Sequence, residues 1–157
     1  MDFNDLMRSF VEKVNLTGVD PTGDEIALVI DGMPVSFFNE REQNRMLIVG
    51  QIGEPPTEGD DAFARMLLRA NHLFSGTADA TLSQDEQTRI YHLCRRLNLD
   101  GLDLEGFEAQ AGTFVDALES WRGVLADFRP VAEAASLHRQ SQPSEWTTFV
   151  NRDFIRA

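Results

Sequence analysis

The chain has 157 residues, of which 42% are hydrophobic, and a formal net charge of −12 at pH 7. A length and composition of this kind are typical of one globular domain with its own core and exclude a disordered chain. The acidic balance argues against a nucleic-acid or anionic-membrane partner, which would need a basic face, and favours neutral or basic protein segments.

The first predicted element is a helix of about 14 residues. Its apolar positions recur at spacings of three and four, and Asp2 or Asn4 can cap its start. The stripe consists of Phe3, Leu6, Met7, Phe10, Val11 and Val14. It is wider than one packing face requires, so part of it is a candidate surface for a partner.

Three strands are predicted next, at Glu25–Ile30, Pro34–Phe38 and Arg45–Ile52. Asp31-Gly32 between the first two indicates a type I′ hairpin, which needs positive φ at both central residues. Phe37 and Phe38 are adjacent and therefore point to opposite faces of their strand, so one ring can enter the core and the other cannot.

A Pro- and Gly-rich linker at 53–59 leads to a second helix that begins at Asp60 or Asp61 and ends before Gly76, the expected left-handed cap. The apolar residues of this helix, with Leu68 included, cover more than half of its circumference. A small domain cannot easily bury all of them, so we predict a two-fold homodimer through this helix. The predicted interface consists of Phe63, Met66, Leu67, Ala70, Leu73 and Phe74.

Two more strands, Ala78–Ser83 and Thr88–Leu97, precede a turn at Asp100-Gly101 and a long helix over Leu104–Phe128. The sequence therefore predicts the order α-β-β-β-α-β-β-α. This is an α+β domain with a five-stranded antiparallel sheet and three helices, over residues 1–129. Residues 130–157 are predicted to be a partly mobile tail.

Cys94 is the only cysteine, so no disulfide can form within the chain and a reducing compartment is expected. The N-terminus lacks the positive charge and apolar run of a secretory signal, and no segment reaches the about 20 apolar residues that span a bilayer. The sequence thus predicts a cytoplasmic protein that does not insert into membranes.

Few residues suit catalysis. None of the three histidines lies three or four residues from another histidine or cysteine, so no local metal motif is present. His92 and Cys94 share a strand face, which leaves a small metal-dependent hydrolase as the less favoured alternative. The acidic residues near turns are better explained as helix caps. We predict no enzyme, no catalytic residue, no metal and no cofactor.

Several segments together resemble the class I chaperones of type III secretion, the Tir-chaperone (CesT-like) family. The resemblance covers roughly residues 1–128. It depends most on the second helix with Leu67, Leu68, Ala70 and Asn71, then on Gly76 and the strand residues Thr81-Leu82-Ser83. The hairpin around Asp31-Gly32, the Leu102–Phe107 segment and the Phe114–Trp121 pattern add to it.

The resemblance implies a bacterial, ATP-independent, non-catalytic chaperone. Such proteins are homodimers that bind the N-terminal segment of a secreted effector in extended form and keep it soluble and competent for export. The secretion ATPase would be a further partner. A general protein–protein adaptor of the same fold is the main alternative.

Effector binding is expected on the first helix and the hairpin, with an exposed sheet edge open to β-augmentation. The predicted effector-binding residues are Phe3, Leu6, Met7, Phe10, Ile26, Leu28, Phe37 and Phe38.

Overall fold

A computed structural model of the protein describes residues 1–130 of the 157. Within this part of the chain, three helices and five strands follow one another in the predicted order. Their bounds are α1 Phe3–Lys13, β1 Glu25–Ile30, β2 Met33–Glu40, β3 Arg45–Gly53, α2 Asp60–Asn71, β4 Thr81–Gln84, β5 Tyr91–Asn98 and α3 Leu104–Asp127. The predicted tail lies outside the described residues except for Pro130, so its separation from a domain stays a prediction.

The strands form one antiparallel sheet in the order β1-β2-β3-β5-β4, which confirms the predicted fold class. Helix α3 packs across the middle of one face, over β3. Gly50 permits this approach, because a Cβ atom there would lie 2.5 Å from Cδ2 of Leu118. Helix α1 lies beside α3, where the rings of Phe10 and Phe107 meet edge to face with centroids 5.1 Å apart.

The core lies between these helices and the alternate residues of the strands that face them. On β3 the buried residues are Met46, Ile48, Gly50 and Ile52, while the residues between them are only half-buried. We call the opposite side of the sheet the open face. It carries the intervening residues of β3, such as Leu47 and Val49, and the residues paired beside them: Phe38 on β2, Cys94 on β5 and Thr81 on β4.

The predicted β1–β2 hairpin is confirmed with its turn. Asp31 and Gly32 have φ angles of 50° and 76°, as a type I′ turn requires, and Ile30 pairs with Met33 across it. Strand β2 runs two residues beyond the predicted Phe38, because its pairing with β3 continues to Glu40 opposite Arg45.

Element ends differ from the predictions where the backbone turns left-handed. Helix α2 ends at Asn71, and the positive φ angles beyond it belong to Leu73 and Phe74, at 54° and 55°, rather than to Gly76. Strand β4 begins at Thr81 instead of Ala78, because Ala78 and the next residue also have positive φ. Sequence periodicity does not reveal such positions, since non-glycine residues rarely adopt them.

Helix α3 begins after Asp103, whose Oδ1 accepts a hydrogen bond of 2.8 Å from the N–H of Gly106, and it ends one residue before the predicted Phe128. Asp2 caps α1 in the same way, through the N–H of Asp5 at 2.8 Å. No helix within residues 1–130 combines the length and apolar character needed to cross a membrane.

Candidate binding surfaces

The outer edge of β1 is the first candidate surface. The backbone N–H of Asn39 donates to the carbonyl of Asp24 at 2.8 Å, which marks a hydrogen-bonded pair just before β1. Such pairs alternate along an antiparallel ladder, so Ile26, Leu28 and Ile30 also bond to β2. The N–H and C=O groups of the intervening residues, Glu25, Ala27 and Val29, therefore point outward.

Nothing within residues 1–130 pairs with this edge, since β1 has β2 as its one neighbour in the sheet there. The side chains of Glu25, Ala27 and Val29 are exposed as well, Val29 to 68%. The edge thus offers outward backbone groups beside small and apolar side chains, which is the chemistry that accepts an added strand.

The edge of β4 is different because the side chain of Asn71 occupies it. The N–H of Leu82 donates to Oδ1 of Asn71 at 2.8 Å, and Nδ2 of Asn71 donates to the carbonyl of Leu82 at 3.0 Å. One amide side chain thereby satisfies both backbone groups, as a neighbouring strand would. Of the two sheet edges in the described residues, β1 is the more accessible to another chain.

The open face is the second candidate surface. A groove of about 460 Å³ lies across β2, β3, β5 and β4. Its lining is Phe38, Leu47, Val49, Ser83, Gln84, Asp85, His92 and Cys94. A second groove, of about 440 Å³, shares Leu47, Ser83 and Cys94 and reaches Asp79 and Arg95. The first groove combines an apolar floor of Phe38, Leu47 and Val49 with a polar rim, whereas the second is mainly polar and charged.

The rim of the open face is held by charged pairs. Nε of Arg96 on β5 lies 3.0 and 3.1 Å from the two carboxylate oxygens of Glu40 on β2. Nε of Arg45 lies 3.3 Å from the same carboxylate. These side chains border the end of β2 and leave the apolar middle of the face uncovered.

The outer side of α2 is the third candidate surface. Leu68 is 70% exposed, and the short turn that follows the helix leaves Leu73 81% and Phe74 54% exposed. Arg65 and Arg69 are exposed on the same helix. The ion pairs among the described residues include neither arginine, so an apolar and basic strip interrupts an otherwise acidic protein.

The inner side of α2 is anchored at its start. The ring of Phe63 meets the rings of Tyr91 and Phe128 edge to face, with centroids 5.1 and 5.0 Å apart. The hydroxyl of Tyr91 donates to Oδ1 of Asp60 at 2.6 Å, and Arg89 pairs with the other carboxylate oxygen. Burial, with the Asp60 carboxylate as second cause, raises the pKa of Tyr91 above its ordinary value.

The predicted effector-binding residues separate into two groups. Six of them are buried in the core of the chain itself, and each exposes 5% or less of its surface: Phe3, Leu6, Met7, Ile26, Leu28 and Phe37. Side chains packed in this way present no area to a partner, so the structure corrects their placement from surface to core. Phe10 and Phe38 are half-buried, and Phe38 lines the groove on the open face.

The predicted dimer residues also divide. Phe63 and Leu67 are buried within the chain, which corrects their placement at a surface, while Met66 and Ala70 are half-buried. Leu73 and Phe74 are exposed, as an interface requires. Leu68 is exposed beside them but was not among the predicted interface residues, and Ala27 and Val29 were not predicted to contact a partner. Strict alternation over Glu25–Ile30 indicates that the side chains of Ala27 and Val29 face away from the core, but not that β1 lies at an edge of the sheet.

His92 and Cys94 share one face of their strand, as predicted, and this is the open face. Sγ of Cys94 lies 3.4 Å from Oγ of Ser83. Within residues 1–130, no three histidine, cysteine, aspartate or glutamate residues come together in a metal-binding arrangement. What this face offers in the described structure is a groove with Phe38, Leu47 and Val49 in its lining.

Comparison with known proteins gives a consistent result. The sequence model of the Tir chaperone protein (CesT) family matches residues 5–122. A chain from the ExsC–ExsE complex is similar, with 26% sequence identity, a TM-score of 0.67, and alignment over 80% of this chain and 97% of that one. No curated protein matches the sequence.

Two further solved structures share the fold at lower identity. One comes from the HopA1–SchA chaperone–effector complex, with 15% identity, a TM-score of 0.61, and coverage of 77% of this chain and 93% of that one. The other is YbjN from E. coli, described as a candidate transcription regulator, with 13% identity, a TM-score of 0.56, and coverage of 78% and 90%. The fold by itself therefore does not decide between functions.

Proposed function

The chain belongs to the Tir chaperone protein (CesT) family, and we propose that it is a type III secretion chaperone that holds the N-terminal segment of a secreted effector in extended form. The observation that carries the proposal is the family match over residues 5–122, which includes all three candidate binding surfaces. The similar chains from the ExsC–ExsE and HopA1–SchA complexes support it. The chaperone acts in the bacterial cytoplasm and without catalysis.

The effector segment binds first at the outer edge of β1. Its backbone pairs with the outward N–H and C=O groups of Glu25, Ala27 and Val29, which supplies affinity independent of sequence. Alternate side chains of the added strand then lie on the open side of the sheet, toward Phe38. The net charge of −12 favours a neutral or basic segment.

The chaperone works as a homodimer in which α2 of one copy packs on the open face of the other. Direct contact of two α2 helices would bring Arg65 and Arg69 of both copies together, and like charges at an interface are unfavourable. The groove across β2, β3, β5 and β4 instead carries Asp85 and no arginine, whereas the adjoining groove carries Arg95 and Arg96 beside Asp79. The apolar floor of the first groove matches the exposed Leu68, Leu73 and Phe74.

An export assay tests the function. Deletion of the gene in its native host should lower the amount of at least one secreted effector, both in the cells and in the medium, and the wild-type gene should restore it. Unchanged levels of every protein exported by the type III apparatus would contradict the proposal. A pull-down from the native host is the second experiment. A stable complex with a protein that is not exported would indicate the adaptor function, and recovery of the secretion ATPase in the same pull-down would show that it is a partner.

A further inference from the structure

The edge of β1 lacks the usual protection of an exposed strand. Exposed sheet edges invite pairing with other chains, and proteins generally shield them with proline, charge, a bulge or a covering segment. Strand β1 has no proline, its pairing with β2 shows no bulge, and Glu25 is its one charged residue. Asn71 closes the edge of β4, whereas no side chain within residues 1–130 bonds to the outward groups of β1 in this way.

The outward backbone groups of β1 match those of a second, antiparallel β1. If Ala27 lies opposite the partner's Ala27, then Glu25 lies opposite the partner's Val29, and the reverse. Each outward residue then meets an outward residue, and each such pair exchanges two N–H···O bonds, which gives about six bonds in all. A register shifted by two residues would leave Glu25 or Val29 of each copy unpaired within β1. The matched register has a two-fold axis at Ala27, so the contact is closed between two copies.

The side chains at this edge suit the same register. The methyl group of Ala27 faces its own counterpart and leaves room for close approach. Glu25 lies opposite the partner's Val29, so no two carboxylates of β1 stand directly opposite each other. Val29 is 68% exposed in the single chain, and pairing covers part of this apolar surface.

The small size of the contact limits its strength. A strand of six residues extends over about 20 Å. At a width of about 10 Å it covers about 200 Å² on each copy, compared with about 800 Å² per partner in stable complexes. The net charge of −12 also opposes the approach of two copies, and salt screens this repulsion. The pairing is therefore weak, reversible and strengthened by added salt.

We propose that β1 of one copy pairs with β1 of a second copy, antiparallel about Ala27, when no effector is bound. The contact shields the outward N–H and C=O groups of Glu25, Ala27 and Val29 in the free protein. Its displacement by an effector rests on the proposed function, because the effector segment competes for the same backbone groups. Salt distinguishes the two contacts, since it strengthens the pairing of two acidic copies and weakens the binding of a basic segment.

An NMR titration of the full-length Leu68→Asp protein without effector tests the pairing. This substitution removes the proposed α2 contact, so self-association that remains is assigned by its position in the spectrum. The amide shifts of Ala27 and Val29 should move as the protein concentration rises from about 20 µM to about 1 mM. The amide shift of Leu82 should stay constant, because Asn71 closes the edge of β4.

Two substitutions at Val29 test the register, since both keep the backbone N–H. Val29→Glu places a carboxylate opposite the partner's Glu25 at both ends of the contact and should weaken the association at least about threefold. Val29→Lys places an ammonium group there, so the association should be as tight as before or tighter. The matched controls are Val124→Glu and Val124→Lys, which make the same charge changes at a 40% exposed position on α3. At equal salt the two controls should differ by less than about twofold.

Three results would overturn the proposal. They are β1 amide shifts that do not depend on concentration, equal effects of Val29→Glu and Val124→Glu, and a loss of association in Val29→Lys as large as in Val29→Glu.

The inference and the proposed function can fail separately. The probe is the N-terminal segment of the effector that the export assay identifies. Self-pairing that this segment does not displace, together with no binding of the segment, would leave the pairing standing and contradict the chaperone function. Binding of the segment by a protein whose copies do not pair would leave the function standing and overturn the pairing.

Discussion

Tyr91 connects the start of α2 to the sheet, and it is the only tyrosine of the chain, so its ionisation can be followed without interference from another phenol. Burial and the nearby Asp60 carboxylate both disfavour the phenolate. Because the folded-state pKa lies above the ordinary value of about 10, the neutral hydroxyl stabilises the fold. This contribution is fully present below pH 10 or so and is lost as the pH rises through the folded-state pKa.

Absorbance at the tyrosinate band should therefore show no transition in the ordinary phenol range while the protein stays folded. In Asp60→Asn the hydrogen-bond acceptor remains but the charge is gone. The transition should then move down toward the ordinary value without reaching it, because burial is the larger cause. A wild-type midpoint near 10 would contradict the contact between Tyr91 and Asp60.

The close approach of α3 to Gly50 can also be tested by substitution of a single residue. A Cβ atom there would lie 2.5 and 2.9 Å from the two methyl carbons of Leu118 and 3.1 Å from the ring of Phe114. Gly50→Ala should destabilise the fold by about 1–3 kcal/mol in urea unfolding at fixed protein concentration, because α3 must move away from β3.

The matched control is Gly112→Ala on α3, where a Cβ would meet nothing within 4 Å. Alanine at this helical position should stabilise by up to about 1 kcal/mol. Equal effects of the two substitutions would show that α3 does not press on β3 at Gly50.

Among the elements, α2 carries the proposed self-association. Leu68→Asp places a charge on a side chain that is 70% exposed, so it should convert the dimer to a monomer in sedimentation without changing the circular dichroism. Leu67→Asp is unsuitable for this purpose, because Leu67 is 4% exposed and its replacement would unfold the chain. Val14→Asp, at a position 44% exposed near the end of α1, should leave the dimer intact. A wild-type protein that sediments as a monomer at micromolar concentration would refute the interface.

The elements themselves were largely predictable. Alternation over Glu25–Ile30 and the spacing of Phe107, Phe114 and Trp121 are strong local signals, and both elements appear as expected. The ends after Asn71 and before Thr81 were not predictable, because left-handed residues other than glycine set them. The spacing of apolar residues along the sequence shows where a helix or strand is, but not where it ends. These two ends depend on how the chain must turn to bring α2 against β4.

The binding surfaces were harder to predict for a related reason. An apolar stripe shows that a face will be covered, but not whether its own chain or a partner covers it. Leu6 and Phe37 are covered by their own core, and Leu68 and Phe74 remain exposed, although all four looked alike in the sequence. Backbone groups at a strand edge leave no compositional signal at all, so the order of strands in the sheet had to be known first.

At the scale of the whole molecule, each of the three surfaces has one task in this account. The edge of β1 takes an extended segment, the open face takes α2 of a second copy, and the outer side of α2 supplies the matching strip. In the proposed dimer a two-fold axis would relate the two α2 contacts, and neither contact uses β1, so both β1 edges would stay open to one effector segment that wraps around the dimer. The acidic charge of the body then favours neutral or basic effectors.

The most direct measurement of the central claim is a calorimetric titration of the full-length protein with the N-terminal segment of the effector whose export depends on it. Two variants of β1 complete the test. Ala27→Pro removes an outward N–H while keeping the bonds to β2, and Ala27→Val keeps that N–H. The account predicts one segment bound per two protomers, binding weakened at least about tenfold by Ala27→Pro, and near-normal binding by Ala27→Val. Undiminished binding by folded Ala27→Pro protein, or no binding by the wild type, would contradict it.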